Sequence, residues 1–283
     1  MMMAMAAALM LLTGCEKNET DFVNDFVPAD SMKSLKITFT FGGDVSQTAM
    51  TRASLTDANM TDLWLFDYLG ETLQQTIHQS STDEGFGVIS LDADYGEHSL
   101  YFVASRGDTP TVDGTVIIWE KPSDTFWQNV TLNIEPQTAT SQAVNLERVA
   151  TRLRITVTDE VPATLASLNV TPSTWYYGID YTTGEATDIR TTTRTISVPS
   201  SYAGTSGQLA ASFYCLSPST AWQTDITLAA KASDNTTISQ IVIANVPMER
   251  NRITSFSGTL FTAGRSMNLS VDDTWGEEQT GTW

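Results

Sequence analysis

The sequence contains few of the side chains on which catalytic and metal sites most often depend. Only two cysteines, Cys15 and Cys215, and two histidines, His78 and His98, occur among its 283 residues. The histidines lack the spacing of a zinc motif such as H-E-x-x-H, and clustered cysteines are absent, which excludes the common zinc sites. The chain also lacks the G-x-S-x-G elbow, the phosphate-binding P-loop and the dinucleotide fingerprint. The sequence therefore predicts no catalytic residue, no metal and no cofactor.

Basic residues are also scarce. The chain has 15 Lys and Arg residues against 33 Asp and Glu residues, which gives a formal net charge of -18. Such a surface repels the phosphates of nucleic acids and the headgroups of anionic lipids, since both bind clustered Lys and Arg. Nucleic acid is therefore excluded as a partner. The acidic residues leave open a carboxylate pair that hydrolyses glycosides, although acidic residues on a secreted surface mainly serve solvation.

Long hydrophobic runs are missing except at the N-terminus, where residues 1–12 contain only Met, Ala and Leu. This run is shorter than the ~20 residues that a helix needs to cross a bilayer, but it suits the apolar region of an export signal. Thr13 and Gly14 are small enough for a signal peptidase, and Cys15 offers a thiol for acylation. The combination resembles a bacterial lipobox. It predicts a signal peptide over residues 1–14, cleavage between Gly14 and Cys15, and a lipoprotein anchored by lipid on Cys15.

The second cysteine has no partner for a disulfide once Cys15 is acylated. The fold must then rest on its hydrophobic cores. Cys215 lies in an apolar run, Phe-Tyr-Cys-Leu, which predicts a buried and unreactive thiol.

The ordered part of the chain is predicted to begin with an alternating segment. Residues 15–33 before it are polar and acidic and predict a tether between the lipid and the first domain. Alternation with a period of two is typical of a strand that places one face on a core and the other in water. The apolar residues that alternate are Leu35, Ile37, Phe39 and Phe41.

Short β signals continue along the rest of the chain, separated by Gly, Asp and Pro. Asp234 and Asn235 predict a turn between two of these strands. The spacing is typical of antiparallel sandwiches, and the length suits two of them. The sequence therefore predicts an all-β fold of two tandem β-sandwich domains, at residues 34–145 and 146–283.

Aromatic residues cluster at two places near predicted loops. Aromatic rings near loops stack on sugars or anchor a protein partner, and core packing explains them equally well. The residues considered as adhesive contacts are Trp119, Trp127, Trp175 and Tyr176.

Four segments in the second half of the sequence, taken in order, resemble a known pattern. They are residues 146–155 (LERVATRLRI), 175–184 (WYYGIDYTTG), 246–254 (VPMERNRIT) and 256–261 (FSGTLF). Together with the lipobox and the first strand, this series resembles the fimbrillin superfamily, the lipoprotein-derived subunits of type V pili in the Bacteroidetes. The resemblance implies two tandem transthyretin-like β-sandwiches, export as a lipoprotein to the outer membrane and the cell surface, and assembly by strand exchange.

The resemblance also implies a processing site. In stalk subunits of the superfamily, a trypsin-like protease cuts after an arginine beyond the first strand and removes the lipid together with that strand. Arg52 and Ala53 stand where such a cut falls. The vacated groove then accepts a strand from a neighbouring subunit. The alternation of Met267, Leu269 and Val271 suits such a donor strand, and it equally suits the last strand of its own domain.

The sequence is therefore interpreted as a structural and adhesive subunit of a cell-surface fimbria, without catalysis. Because anchor subunits keep their lipid and are not cut, the role stays open between stalk, tip and anchor. The expected partners are other fimbrial subunits, the outer membrane through the lipid on Cys15, and glycans or proteins on host or bacterial surfaces. The alternative is a surface glycan-binding lipoprotein that uses the aromatic clusters.

Overall fold

The computed structural model of the protein describes residues 33–43, 55 and 59–272. As the sequence predicts, these residues form an all-β fold, with a short 3-10 turn at Ser200–Tyr202 and no α-helix within the described ranges. No helix in this part of the chain is long and apolar enough to cross a membrane. The strands of the N-terminal half are β1 (Ser34–Gly43), β2 (Asp62–Leu69), β3 (Thr72–Ser80), β4 (Val88–Asp94), β5 (Gly96–Ser105), β6 (Thr111–Asp113), β7 (Val116–Ile118), β8 (Thr125–Ile134) and β9 (Ser141–Arg148). Those of the C-terminal half are β10 (Ala150–Val157), β11 (Leu165–Pro172), β12 (Tyr176–Asp180), β13 (Glu185–Ile189), β14 (Arg194–Ser197), β15 (Leu209–Leu216), β16 (Trp222–Ala232), β17 (Thr237–Met248), β18 (Ile253–Thr259) and β19 (Ser266–Asp272).

A seven-stranded sheet in the N-terminal half curls over on itself. Its strands lie in the order β3-β2-β5-β8-β9-β1-β4. The rings of Phe39 and Phe41 on β1 each lie 5.3 Å from the ring of Phe102 on β5, although β8 and β9 separate these strands in the sheet. The sheet therefore forms two facing layers, which we call the N-terminal sandwich. Its core includes Ile37, Phe39, Phe41, Leu63, Leu65, Ile89, Leu91, Leu100, Phe102, Val144 and Leu146.

Two further sheets pack face to face and form the C-terminal sandwich. One has eight strands, in the order β19-β18-β10-β15-β12-β7-β6 with β13 paired to β12, and the other has four, in the order β14-β11-β16-β17. The central strands β10, β11 and β16 place alternate apolar residues inward, as the period of two requires. The core between the sheets includes Leu153, Ile155, Val157, Leu168, Val170, Trp175, Cys215, Ile226, Leu228, Val246 and Phe256.

The two sandwiches are joined by sheet pairing and by an apolar contact. β6 and β7 belong to the N-terminal half of the sequence but extend the eight-stranded sheet, where Ile117 of β7 pairs with Ile179 of β12. Beside this pairing, the rings of Phe66 and Tyr181 stack with their centroids 3.7 Å apart. The buried cluster between the sandwiches consists of Phe66, Val103, Ile117, Trp119, Val149, Ile179, Tyr181 and Leu216.

One of the covalent links between the sandwiches, from β9 to β10, is very short. β9 ends at Arg148 and β10 begins at Ala150, so a single residue, Val149, separates them. The boundary predicted between residues 145 and 146 therefore falls inside β9, three residues before that strand ends.

Candidate functional site

The first strand is held between two neighbours. β1 runs antiparallel to β4, with Ile37 opposite Leu91, and parallel to β9, with Phe39 opposite Gln142. Backbone pairing therefore occurs on both sides of the strand. Without β1, both β4 and β9 would expose a row of unpaired N–H and C=O groups, and another strand is the structure that satisfies such rows.

The inward side chains of β1 fill the core of the N-terminal sandwich. Ile37 and Phe39 are fully buried, Phe41 is 8% exposed and Leu35 is half-buried. Burial of one such side chain contributes about 1.5–3 kcal/mol to stability. The space that β1 occupies is therefore a deep apolar groove with β4 and β9 as its walls.

The predicted processing residues fall outside the described part of the chain. They are Gly14 and Cys15 at the signal cleavage and lipidation site, and Arg52 and Ala53 at the protease site. Shortly after Arg52, Leu55 is 4% exposed and packs against the core of the N-terminal sandwich. A chain cut after Arg52 would thus keep an apolar anchor close to its new N-terminus.

β19 is the last strand of the described residues, among which it lies at the edge of the eight-stranded sheet and pairs with β18. Of the alternating residues, Met267 is half-buried, whereas Leu269 and Val271 are 48% and 46% exposed. The two backbones approach closely, since a Cβ on Gly258 would meet the carbonyl oxygen of Ser266 at 1.9 Å. Within the described residues, β19 therefore forms the final strand of its own sandwich, which is one of the two predicted roles, and most of its apolar side lies in water.

Two of the predicted adhesive contacts are core residues. Trp119 and Trp175 are each 1% exposed. The indole N–H of Trp119 donates to Ser105 Oγ at 3.4 Å, and that of Trp175 donates to the carbonyl of Tyr214 at 3.0 Å. This corrects the expectation that Trp119 and Trp175 contact a glycan or a protein partner, because a ring that packs inside the fold presents no surface for stacking.

The other two predicted contacts are half-buried and already engaged. The indole N–H of Trp127 donates to the carbonyl of Tyr181 at 2.7 Å, and its ring lies where a Cβ on Gly184 would approach to 2.9 Å. Gly184 has φ +72°, which suits glycine in the turn between β12 and β13. The ring of Tyr176 makes an edge contact with that of Trp222, with centroids 5.0 Å apart. The side chains of Trp127 and Tyr176 thus make their contacts within the fold.

The free cysteine is buried, as the sequence predicts. Cys215 is 0% exposed, and burial raises the pKa of its thiol well above the ordinary value. Its sulfur accepts a hydrogen bond from the backbone N–H of Tyr176 at 3.2 Å. A thiol that stays protonated and shielded is a poor nucleophile and a poor metal ligand.

Both histidines have hydrogen-bond partners. His78 Nε2 lies 2.8 Å from Asp62 Oδ1, and its ring stacks on that of Trp64. His98 is buried, with Nδ1 2.6 Å from Asp67 Oδ1 and Nε2 2.8 Å from a backbone carbonyl. Among the described residues, no group of three or more His, Cys, Asp or Glu side chains is placed to hold a metal ion.

A buried ion pair beside the link between the sandwiches had no signal in the sequence. Arg148 Nε donates to Asp124 Oδ1 at 2.7 Å, and its Nη1 donates to Asn251 Oδ1 at 2.9 Å. Asp124 is fully buried and Arg148 is 6% exposed. The three side chains come from β9 and from two loops far apart in sequence, and only the tertiary fold brings them together.

Comparison with known protein families gives a match for this sequence. A model of the family with the description "Family of unknown function (DUF6562)" matches residues 110–282, which is more than half of the chain. No curated protein sequence matches the chain.

The fold is similar to those of several crystal structures. A candidate adhesin from Bacteroides ovatus aligns with a TM-score of 0.55 at 12% identity, over 83% of this chain and 88% of that one. A candidate adhesin from Bacteroides thetaiotaomicron aligns with a TM-score of 0.54 at 12% identity, over 87% and 99% of the two chains. A candidate polysaccharide-binding protein from the same organism aligns with a TM-score of 0.53 at 9% identity, over 86% and 98%. At these identities the likeness concerns the fold.

Proposed function

We propose that this chain, which belongs to the Family of unknown function (DUF6562), is a structural and adhesive subunit of a cell-surface fimbria. It has no catalytic role in this proposal. Acylation of Cys15 after removal of residues 1–14 delivers it to the outer membrane, and other fimbrial subunits are its main partners. The folds of the two candidate adhesins, which align over most of this chain, support a role at the cell surface.

The observation that supports the proposal most strongly is the setting of β1. This strand contributes three buried apolar side chains and lies between a parallel and an antiparallel neighbour. A strand with the same alternation, supplied by another subunit, restores both the hydrogen bonds and the burial. We therefore propose assembly by donor-strand exchange at the groove of β1, with Leu35, Ile37, Phe39 and Phe41 as the displaced side chains.

Proteolysis supplies the opening of the groove in this proposal. An external trypsin-like protease hydrolyses the peptide bond between Arg52 and Ala53, and the lipid-bearing segment leaves together with β1. The donor is β19, whose Leu269 and Val271 are half-exposed at a sheet edge in the free subunit. An uncut chain keeps the lipid on Cys15 and serves as an anchor, whereas a cut chain enters the fibre.

The domain plan of the proposal is two tandem transthyretin-like sandwiches, at residues 34–145 and 146–283. Its support is the pair of layered cores, one built around β1 and the other around β10. The passage of β6 and β7 into the eight-stranded sheet adds a contact between the two domains.

The test uses the full-length precursor and a trypsin-like protease, with Arg52→Ala as the control. We expect a product that begins at Ala53, followed by multimers that resist SDS, and we expect the control to remain uncut and monomeric. Wild-type protein that is cut after Arg52 and stays monomeric would contradict strand exchange. N-terminal analysis of protein from intact cells separates the roles, since an acylated Cys15 marks an anchor and Ala53 marks a polymerised subunit.

Glycan binding is not proposed as a second function. The aromatic residues considered for it are buried or engaged within the fold, as described for Trp119, Trp127, Trp175 and Tyr176. The candidate polysaccharide-binding protein shares the fold at 9% identity, and a shared fold does not transfer a binding site.

A further inference from the structure

The outer edge of β4 is closed by side chains where a neighbouring strand would otherwise lie. β3 and β4 are the two ends of the curled seven-stranded sheet, and among the described strands β3 pairs with β2 and β4 pairs with β1. No backbone ladder joins β3 to β4 in this part of the chain. Two glutamines of β3 bridge the gap between the strands.

The bridging contacts reach β4 at two points. Gln75 Nε2 donates to the carbonyl of Asp92 at 2.8 Å, and Gln79 Nε2 donates to the carbonyl of Val88 at 2.9 Å. The Gln79 amide also accepts through Oε1 from the backbone N–H of Gly87 at 3.1 Å. The two contacts lie near opposite ends of the strand, so they restrain its direction as well as its position.

The strand pattern of β3 aims these amides into the gap. Gln75, Ile77 and Gln79 occupy alternate positions, so they point to one face, and all three are half-buried. Ile77 packs against the core of the N-terminal sandwich. An apolar side chain therefore fixes the inward face of β3 between the two glutamines.

The glutamine contacts do not involve β1. In an antiparallel strand the carbonyls of successive residues point to opposite sides, so Val88 and Asp92 face β3, whereas Ile89 and Leu91 face β1. Loss of β1 removes the hydrogen bonds on one side of β4 and leaves those from Gln75 and Gln79 on the other. A strand with no restraint on either side would fray or collapse into the vacated space.

We propose that Gln75 and Gln79 form a clamp that holds β4 in place independently of β1, so that the groove keeps both walls when β1 is absent. The proposal of a clamp is based on these contacts alone. Its use, to keep the groove ready for an incoming strand, rests on the proposed function.

Hydrogen exchange in the full-length protein tests the clamp. In the double variant Gln75→Ala/Gln79→Ala we expect the amides of Ile89 and Leu91 to exchange about tenfold faster or more, since the hydrogen bonds that restrain β4 from the side of β3 are lost. The amide of Thr38, which donates to the carbonyl of Thr140 on the β9 side of β1, should keep its rate.

The matched control is Gln74→Ala. Gln74 lies at the bulge in the pairing of β3 with β2, is exposed, and donates to a carbonyl of its own strand, that of Thr72. This variant should leave the exchange of β4 unchanged. If the double variant does not fold, Gln79→Glu keeps the side-chain size and the acceptor for Gly87 but removes the donor to Val88, and it should still accelerate exchange at Ile89.

Unchanged exchange at Ile89 and Leu91 in the double variant would overturn the clamp, as would an equal rise at Thr38, which reports unfolding of the whole sandwich. The link to assembly is tested separately with protein cut after Arg52 and a synthetic peptide of the β1 sequence. Peptide binding that weakens about tenfold in the double variant supports the link. Wild-type protein that takes up no peptide contradicts the proposed function, while the exchange data still decide the clamp.

Discussion

β1 and β10 occupy equivalent places in the two sandwiches, yet they are connected to the rest of the chain in different ways. β1 is antiparallel to β4 and parallel to β9, and β10 is antiparallel to β15 and parallel to β18. Both place three consecutive alternate residues in a core, and in β10 these are Leu153, Ile155 and Val157. By pairing and burial alone, the two strands are equally part of the fold.

β10 is held in place at both ends, by a short link before it and by hydrogen bonds after it. It follows β9 after one residue, and just beyond its last residue the carboxylate of Asp159 accepts hydrogen bonds from the backbone N–H groups of Leu260, Phe261 and Thr262 at 2.6–3.2 Å. These donors follow β18, the parallel neighbour of β10. Hydrogen bonds and burial alone therefore do not identify an exchangeable strand. The proposed exchange at β1 depends on a connection that a protease can cut.

The largest expected effect comes from truncating one buried side chain in each of the two strands, β1 and β10. Phe39→Ala should lower the free energy of unfolding by about 3–5 kcal/mol and Ile155→Ala by about 2–5 kcal/mol, both measured by urea denaturation. A synthetic peptide of the β1 sequence, Ser34–Gly43, should recover stability for Phe39→Ala because it can replace the altered strand. A peptide of Ala150–Val157 should not rescue Ile155→Ala. Rescue of both variants, or of neither, would remove the proposed distinction between the strands.

The next effect concerns the ion pair beside the link. Asp124→Asn should destabilise the protein by about 3 kcal/mol, because Arg148 keeps a buried charge without its carboxylate. Calorimetry should show this loss as a lower transition temperature for the variant than for the wild type. A variant that unfolds at the wild-type temperature would mean that the charge of Asp124 contributes little to stability.

A smaller effect is expected from the hydrogen bonds that Asp159 accepts just after the end of β10. Burial raises the pKa of Asp159, and the backbone N–H donors of Leu260, Phe261 and Thr262 lower it by more, so the pKa lies below its ordinary value. A depressed carboxyl pKa stabilises the fold above the unfolded pKa, and this contribution is lost as the pH falls through the folded value.

Asp159→Asn should therefore cost about 2 kcal/mol at pH 7 and progressively less below about pH 4. Urea denaturation of the variant and the wild type at several pH values measures the difference. A gap between the two proteins that stays constant down to pH 3 would show that the charge of Asp159 is not the cause.

The smallest effect is expected on the exposed side of β19. Leu269→Ser should change the free energy of unfolding by less than about 0.5 kcal/mol, since the side chain is 48% exposed. If β19 is the donor strand, the same change should reduce the yield of SDS-resistant multimers after cleavage. A loss of stability above 1 kcal/mol would instead assign Leu269 to the packing of its own sandwich.

Local patterns in the sequence predicted much of the fold. The alternation of Ile37, Phe39 and Phe41 gave β1, and Asp234 and Asn235 form the predicted turn between β16 and β17, where Asn235 adopts φ 66°. The alternation of Val144 and Leu146 within β9 does not reveal that the strand pairs with β1, because β1 lies about a hundred residues earlier in the sequence. Parallel pairing over such a distance leaves no mark in a local pattern.

The candidate site was predictable only in part. The inward residues of β1 could be named from their period, but the burial of Trp119 depends on β7 lying beside β12, and that of Trp175 depends on the packing of the two sheets of the C-terminal sandwich. In the sequence, nothing distinguishes Gln75 and Gln79 from the other polar residues of an exposed strand. Their partners are backbone carbonyls of β4, and a backbone acceptor has no signature in the sequence.

The single-residue link between β9 and β10 also decides how a pulling force would travel through the molecule. Tension along β9 passes through Val149 directly into β10, and the pairing of β7 with β12 offers a second path beside it. Because the hydrogen bonds between β1 and β9 lie across the strand direction, a pull along β9 loads them in shear, many at once, instead of opening them one after another. Because a single residue joins β9 to β10, the protein would transmit load from one sandwich to the other at this point rather than extend there.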